Sequence, residues 1–167
     1  MFNRRGELSI FRVGLVVGII GFLAIGAGVV AFLTDQASRQ VPLDITLYPN
    51  AQPWGTAELR GASRKLLFRV AAANPDDVAR FYQQQMSEFY GNTDFTCVRT
   101  PATGESRPER NVPNPIPFQF ACLFDRSGFN STQFTRVVIY PGQPNPDPFL
   151  NAEGFTVIVY EQVWQPA

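Results

Sequence analysis

Few side chains in this 167-residue chain could do chemistry, and most of those have a structural use. Cys97 and Cys122 are its only cysteines, and histidine is absent altogether. That removes the commonest general base and the commonest metal ligand. Two thiols do not make a four-cysteine zinc site or hold an iron–sulfur cluster within one chain, and the Cys-x-x-Cys-His of a c-type haem is missing. Cys97 is in phase with Phe95, and Cys122 with Phe120, so both sit at inward positions of neighbouring strand candidates. Outside the cytoplasm such a pair tends to oxidise. Closing a loop of about 24 residues would then stabilise the fold by roughly 3 kcal/mol in the chain-entropy model. The spacing favours a structural disulfide, with buried free thiols as the alternative. A redox pair would call for Cys-x-x-Cys at a helix N-terminus.

Asp76 and Asp77 are adjacent carboxylates, but neighbouring helical positions point about 100° apart. They read as acids at a helix N-terminus rather than an acid–base pair. Ser63-Arg64-Lys65 has no histidine beside it to activate a nucleophile. The GxSxG elbow, the P-loop and the dinucleotide fingerprint are absent. Trp54 and Trp164 could bind sugar or a lipid headgroup, but core or interface anchors are the favoured reading. Arg99, Arg107 and Arg110 are interspersed with acids and form no basic patch. Asn130-Ser131-Thr132 fits a glycosylation acceptor, relevant only in a eukaryotic secretory route. No catalytic residue, metal site or cofactor is expected. Fourteen basic and fourteen acidic residues cancel, so nothing draws nucleic acid.

The elements that position these residues follow from periodicity. Val41 to Trp54 alternates at Ile45 and Leu47 before a Tyr-Pro-Asn turn, and reads as a strand. Lys65–Ala72 reads as the next strand. Asn74-Pro75-Asp76-Asp77 starts a helix expected over Pro75–Phe89 and stopped at Gly91. Its buried face would carry Val78, Phe81, Tyr82, Met86 and Phe89. Strands then follow at Asp94–Arg99, Pro117–Asp125, Gln133–Tyr140 and Gly154–Gln162, with a hairpin turn at 125–132. One main helix against a small antiparallel sheet is an α+β fold. Two proline-rich loops, Thr100–Pro117 and Pro141–Pro148, are contact candidates.

Ahead of that domain, Val13 to Leu33 is apolar without a charge. Its 21 residues, at about 1.5 Å each, match a hydrocarbon core of ~30 Å. A cleaved signal peptide has a shorter apolar region, about 7–15 residues. Arg4, Arg5 and Arg12 precede the run with only Glu7 opposed; Asp35 and Arg39 follow it. The positive-inside rule puts residues 1–12 in the cytoplasm, a transmembrane helix at 13–34 and residues 35–167 outside the cytoplasmic membrane. Gly14, Gly18, Gly21 and Gly28, with Ala24 and Ala31, lie near one stripe, the small-residue pattern by which membrane helices pack. No charge within the span suggests ion or proton transfer.

From Pro42 to Gly91 the chain has Tyr48-Pro49-Asn50-Ala51, then a strand, then a helix with Val78 and Phe81-Tyr82. It resembles the "Tyr-Pro-Gly-Ala … Val-x-x-Phe-Tyr" domains of bacterial membrane-anchored extracytoplasmic proteins, with Asn50 in the place of their glycine. The whole layout is similar to the small G-type subunit of alternative complex III, a bacterial membrane quinol oxidoreductase. That resemblance implies an accessory subunit, with haem and iron–sulfur centres carried by other subunits. The expectation is a non-catalytic single-pass subunit of an electron-transfer complex in the bacterial inner membrane, its partners being other membrane subunits and lipid. The alternative is a membrane-tethered binding domain for a small ligand or envelope component.

Overall fold

The computed structural model describes residues 10–107, 115–128 and 131–166. Arg4, Arg5, Glu7, Arg110 and Asn130 lie outside the described residues. The chain divides into two compact units, the boundary falling after Ser38.

The first unit is helix α1, Ile10–Ser38. It is long and apolar enough to cross a membrane from Val13 onward. It runs five residues beyond the apolar stretch, to Ser38. Thr34 Oγ1 donates back to the carbonyl of Val30 at 2.8 Å, and Ser38 Oγ to that of Asp35 at 2.7 Å. Such local bonds let short polar residues continue a helix. Hydropathy set the width of the apolar band, but nothing between Thr34 and Ser38 breaks helical geometry.

The second unit begins at Arg39. Its described strands are β1 (Gln52–Pro53), β2 (Glu58–Leu59), β3 (Ser63–Ala71), β4 (Val98–Thr100), β5 (Gln119–Asp125), β6 (Phe134–Pro141) and β7 (Phe155–Val163). They form one sheet in the order β1-β3-β7-β6-β5-β4, with β2 also on β3 and every pairing antiparallel. Residues β4 to β7 are thus a meander, and β3 returns beside the last strand. In β7 every residue from Thr156 to Tyr160 is buried, which marks a strand covered on both faces.

Helix α2, Pro75–Tyr90, crosses one face of the sheet. The Asn74 side chain accepts from the Asp76 N–H at 3.0 Å, Pro75 opens the first turn, and Gly91 ends the helix at φ 68°. Val78, Tyr82 and Met86, spaced by four, turn fully inward onto Cys122, Phe124, Val137, Ile139 and Ile158. The opposite face buries Val138, Val157 and Val159 beneath Trp54, Tyr140 and Ala152. The fold is α+β.

Two expected strands are corrected. Residues 42–48 are not in the sheet. The free side of β3 is taken by β1 and β2, and the segment instead lies as a strap across the α2 face, with Ile45 buried and Leu43, Leu47 and Tyr48 half-buried. The strand expected over Asp94–Arg99 shrinks to Val98–Thr100. Gln83 of α2 takes its place as partner: its Nε2 donates to the Phe95 carbonyl at 2.7 Å and its Oε1 accepts from the Cys97 N–H at 2.7 Å. Phe89, expected on the buried face of α2, is 37% exposed at its last turn and packs edge-on against Phe124.

Candidate functional site

Cys97 and Cys122 are joined by a disulfide, with Cα atoms 4.2 Å apart. The β4–β5 register pairs Val98 with Ala121, so one step back the two cysteines face each other across the strands. The bridge is packed inward, with Cys122 wholly buried, which makes it a structural link rather than an exposed reactive pair.

The remaining sequence candidates are dispersed. Ser63 Oγ donates to the Arg60 carbonyl at 2.8 Å, and Arg64 Nε donates to Gln162 Oε1 at 2.6 Å. Alternation along β3 puts Lys65 on the other face from Arg64. Asp77 is paired with Arg80 at 2.8 Å on the surface. Arg99 folds the start of the first proline-rich loop: it donates to the carbonyls of Pro101 and Gly104 at 2.5 and 2.9 Å and stacks over Phe118 at 4.5 Å. Trp54 is half-buried, its Nε1 donating to the Phe149 carbonyl at 3.1 Å, while Phe149 itself stands 86% exposed just after the second proline-rich loop. Trp164 is half-buried beside β3, its N–H donating to the Ala62 carbonyl at 3.0 Å. Among the described residues no group of three or more His, Cys, Asp or Glu comes together.

In α1, a Cβ added at Gly14, Gly18, Gly21 or Gly28 would meet nothing within 4 Å. Ala24, like those glycines, is exposed within this chain. Glycine costs about 1 kcal/mol against alanine inside a helix in water. Among the described residues nothing within 4 Å of these positions asks for that cost.

What the sequence reading missed is a row of buried polar side chains beneath the strap. Gln133, Thr135 and Gln162 are at most 2% exposed. Gln133 Nε2 donates to the Val41 carbonyl at 2.9 Å. Thr135 Oγ1 and Gln162 Nε2 both donate to the Leu43 carbonyl at 2.6 Å. The Tyr160 hydroxyl reaches the carbonyls of Ile45 and Thr46 at 3.5 and 3.3 Å, and Gln85 Nε2 that of Thr46 at 3.1 Å. The strap's backbone, deprived of a ladder, is thus satisfied by side chains, as buried peptide groups must be. The signal was legible: Thr135 is in phase with Val137 and Ile139, and Gln162 with Tyr160 and Ile158. Polar residues at core positions of a strand have partners to find.

Tyr82 and Tyr160 touch at their hydroxyls, 2.9 Å apart. Burial pushes the Tyr82 phenol up to about 12, and it raises Tyr160 further, with the adjoining Tyr82 adding to the effect. Both stay protonated through the physiological range and act as hydrogen-bonding groups, not bases. Tyr140 is raised too, by burial.

Beside the first turn of α2 lies an open cleft of about 420 Å³ bordered by Tyr48, Asn50, Gln52, Ala72, Asn74 and Asp77. Asn50 turns there at φ 61°, a conformation asparagine tolerates best after glycine.

Set against known protein families, curated proteins and solved structures, the chain matches none of them.

Proposed function

We propose that this chain is an accessory, non-catalytic single-pass subunit of a bacterial membrane complex, of the quinol-oxidoreductase electron-transfer type. Its N-terminus is cytoplasmic, and residues from Arg39 onward lie outside the inner membrane. One observation carries the reading. Among the described residues none in the apolar window of helix α1 is buried, and a Cβ added at any glycine of its stripe meets nothing within 4 Å. In a bilayer such a stripe gains by close backbone approach to another helix. The Cys97–Cys122 bridge supports an oxidising compartment for the folded domain. The similarity in layout to the small subunit of alternative complex III supports the complex named.

The test is purification of the intact chain from native bacterial membranes in mild detergent, followed by mass spectrometry of its companions. Co-migration with haem- and iron–sulfur-bearing membrane subunits is expected; migration as a lone monomer overturns the reading.

A second reading, a tethered binding domain for a small ligand or envelope component, is favoured by the cleft beside α2. It predicts a lone chain that retains a ligand at that cleft, and so is separated by the same purification.

A further inference from the structure

The domain's helix covers one face of the sheet, and the other face carries a cleft. Alternation along β3 turns Leu66, Phe68 and Val70 toward α2 and Lys65 and Leu67 away from it. The registers carry that outer face across the strands. Lys65 stands opposite Glu161, and Glu161 opposite Arg136, in one charged row. Leu67, Val159, Val138 and Ala121 make the next row, wholly apolar. Tyr140, opposite Val157, belongs to the row after that. A solvated face of an antiparallel sheet ordinarily presents polar residues, and an apolar row across its middle departs from that pattern.

Between the charged row and Tyr140 this face sinks into a cleft of about 280 Å³. Val138 and Val159 form its floor, 7% and 4% exposed, and Lys65, Arg136, Glu161, Gln119, Tyr140 and Ile116 border it. An apolar floor ringed by a few polar groups is the build of a small-molecule site, and the volume lies at the small end of such sites, about 300 Å³. Among the described residues the Lys65 ammonium, the Gln119 amide and the Tyr140 hydroxyl have no hydrogen-bond or ion-pair partner. Glu161 is engaged by Arg136 at 3.6 Å. One carboxylate against two cations leaves a single positive charge, at Lys65. A half-buried ammonium attracts an anion more strongly than one in open water, because the dielectric around it is lower. A second negative charge on the same ligand would be repelled by Glu161. Tyr140 lies four residues along β6 from Arg136, about 13 Å, and keeps its proton as a donor.

We propose that this cleft binds a small amphiphilic monoanion: an apolar, aromatic body with one carboxylate at one end and a hydrogen-bonding group at the other. The body lies on Val138 and Val159. The carboxylate accepts from Lys65 Nζ, and the far end meets the Tyr140 hydroxyl and the Gln119 amide. The occupant follows from the charge: the site holds one uncompensated cation beside an apolar floor. It shares no residue with the cleft beside α2. The proposal goes beyond the accessory-subunit reading and does not rest on it.

The test uses the full-length chain in phosphatidylcholine nanodiscs, methyl-labelled at alanine, isoleucine and valine, with 3-(4-hydroxyphenyl)propionate as the probe. Saturable shifts of the Val138 and Val159 methyl signals are expected. The neutral amide of the same acid should bind about tenfold more weakly, the scale of one charge-assisted hydrogen bond. Lys65→Gln should abolish that preference while the amide still binds, and Lys65→Arg should restore it. Retained amide binding shows that the cleft is intact in the variant. No saturable shift at Val138 and Val159, or equal binding of acid and amide by the unsubstituted chain, overturns the proposal. So does a preference that survives Lys65→Gln, or shifts confined to Ala72 and Ala73 beside α2.

Discussion

The backbone N–H of Tyr48 donates to the hydroxyl of Tyr82 across 3.0 Å, joining the end of the strap to the middle of α2. The Tyr48 and Phe81 rings meet edge to face at 5.2 Å beside it. Those residues are the two halves of the Tyr-Pro…Phe-Tyr pattern read from the sequence, 34 residues apart in the chain, and the fold brings them into contact. Tyr82→Phe removes the acceptor for Tyr48 and the partner of Tyr160. A cost of about 1–2 kcal/mol is expected, since a buried group is left unpaired. Urea denaturation of the two proteins measures it.

The same phenol sets an alkaline limit. Tyr82 titrates near 10 when unfolded and about 12 when folded. The folded state holds the proton more tightly, so its contribution is complete below pH 10 and is lost as pH rises toward 12. Two pH units correspond to roughly 3 kcal/mol for this group. Tyr82→Phe should flatten the decline of stability between pH 10 and 12 by one proton. An unchanged slope would show that Tyr82 does not titrate in the unfolding transition.

Breaking the Cys97–Cys122 bridge by Cys97→Ser with Cys122→Ala should cost about 3 kcal/mol. The loss would appear as a lower urea midpoint. The sheet should survive, because β5, β6 and β7 pair without the bridge.

Gly142 is the glycine whose replacement the structure most strongly forbids. A Cβ there would fall 1.8 Å from the Ala152 carbonyl oxygen. The two segments are laced by Ala152 N–H to the Gln143 carbonyl at 3.1 Å and Gly142 N–H to the Phe155 carbonyl at 2.8 Å. Gly142→Ala must push them apart, at a cost of about 1–3 kcal/mol. Thermal unfolding checks this, and a melting point unaltered from the parent would contradict it.

Gly18→Leu tests the membrane stripe. The domain from Arg39 onward should keep its thermal transition, while recovery of companion subunits from native membranes falls. Undiminished recovery would leave the stripe without a role in assembly.

How much of this was legible depended on where the backbone found its partners. Alternation located β5, β6 and β7 to within two residues, because their ladder bonds and apolar faces share one period. Asn74-Pro75 and Gly91 bracketed α2 because helix ends are local chemistry. The Cys97–Cys122 bridge was the favoured reading, from phase taken with a place outside the cytoplasm, and it is present. The strap deceived, since Ile45 and Leu47 alternate as a strand's residues do, yet side chains from distant strands hold its carbonyls. Gln83 likewise stands in for a strand beside Phe95 and Cys97. Substitution of a side chain for a ladder partner is long-range information that no local period carries. Glycine spacing in α1 was visible from the start, but spacing within one helix does not say what packs on it.

The bond between Gln165 and Arg39 has a practical reach. The chain comes into its folded domain and departs from it side by side, at one end of β7, while Phe149 stands in the loop at that strand's other end. A fluorescent reporter joined after Gln165 would therefore sit beside the point where the chain enters the domain at Arg39, whereas one inserted near Phe149 would sit a strand's length away. A labelling scheme meant to leave the Arg39 end of the domain unobstructed should use the loop.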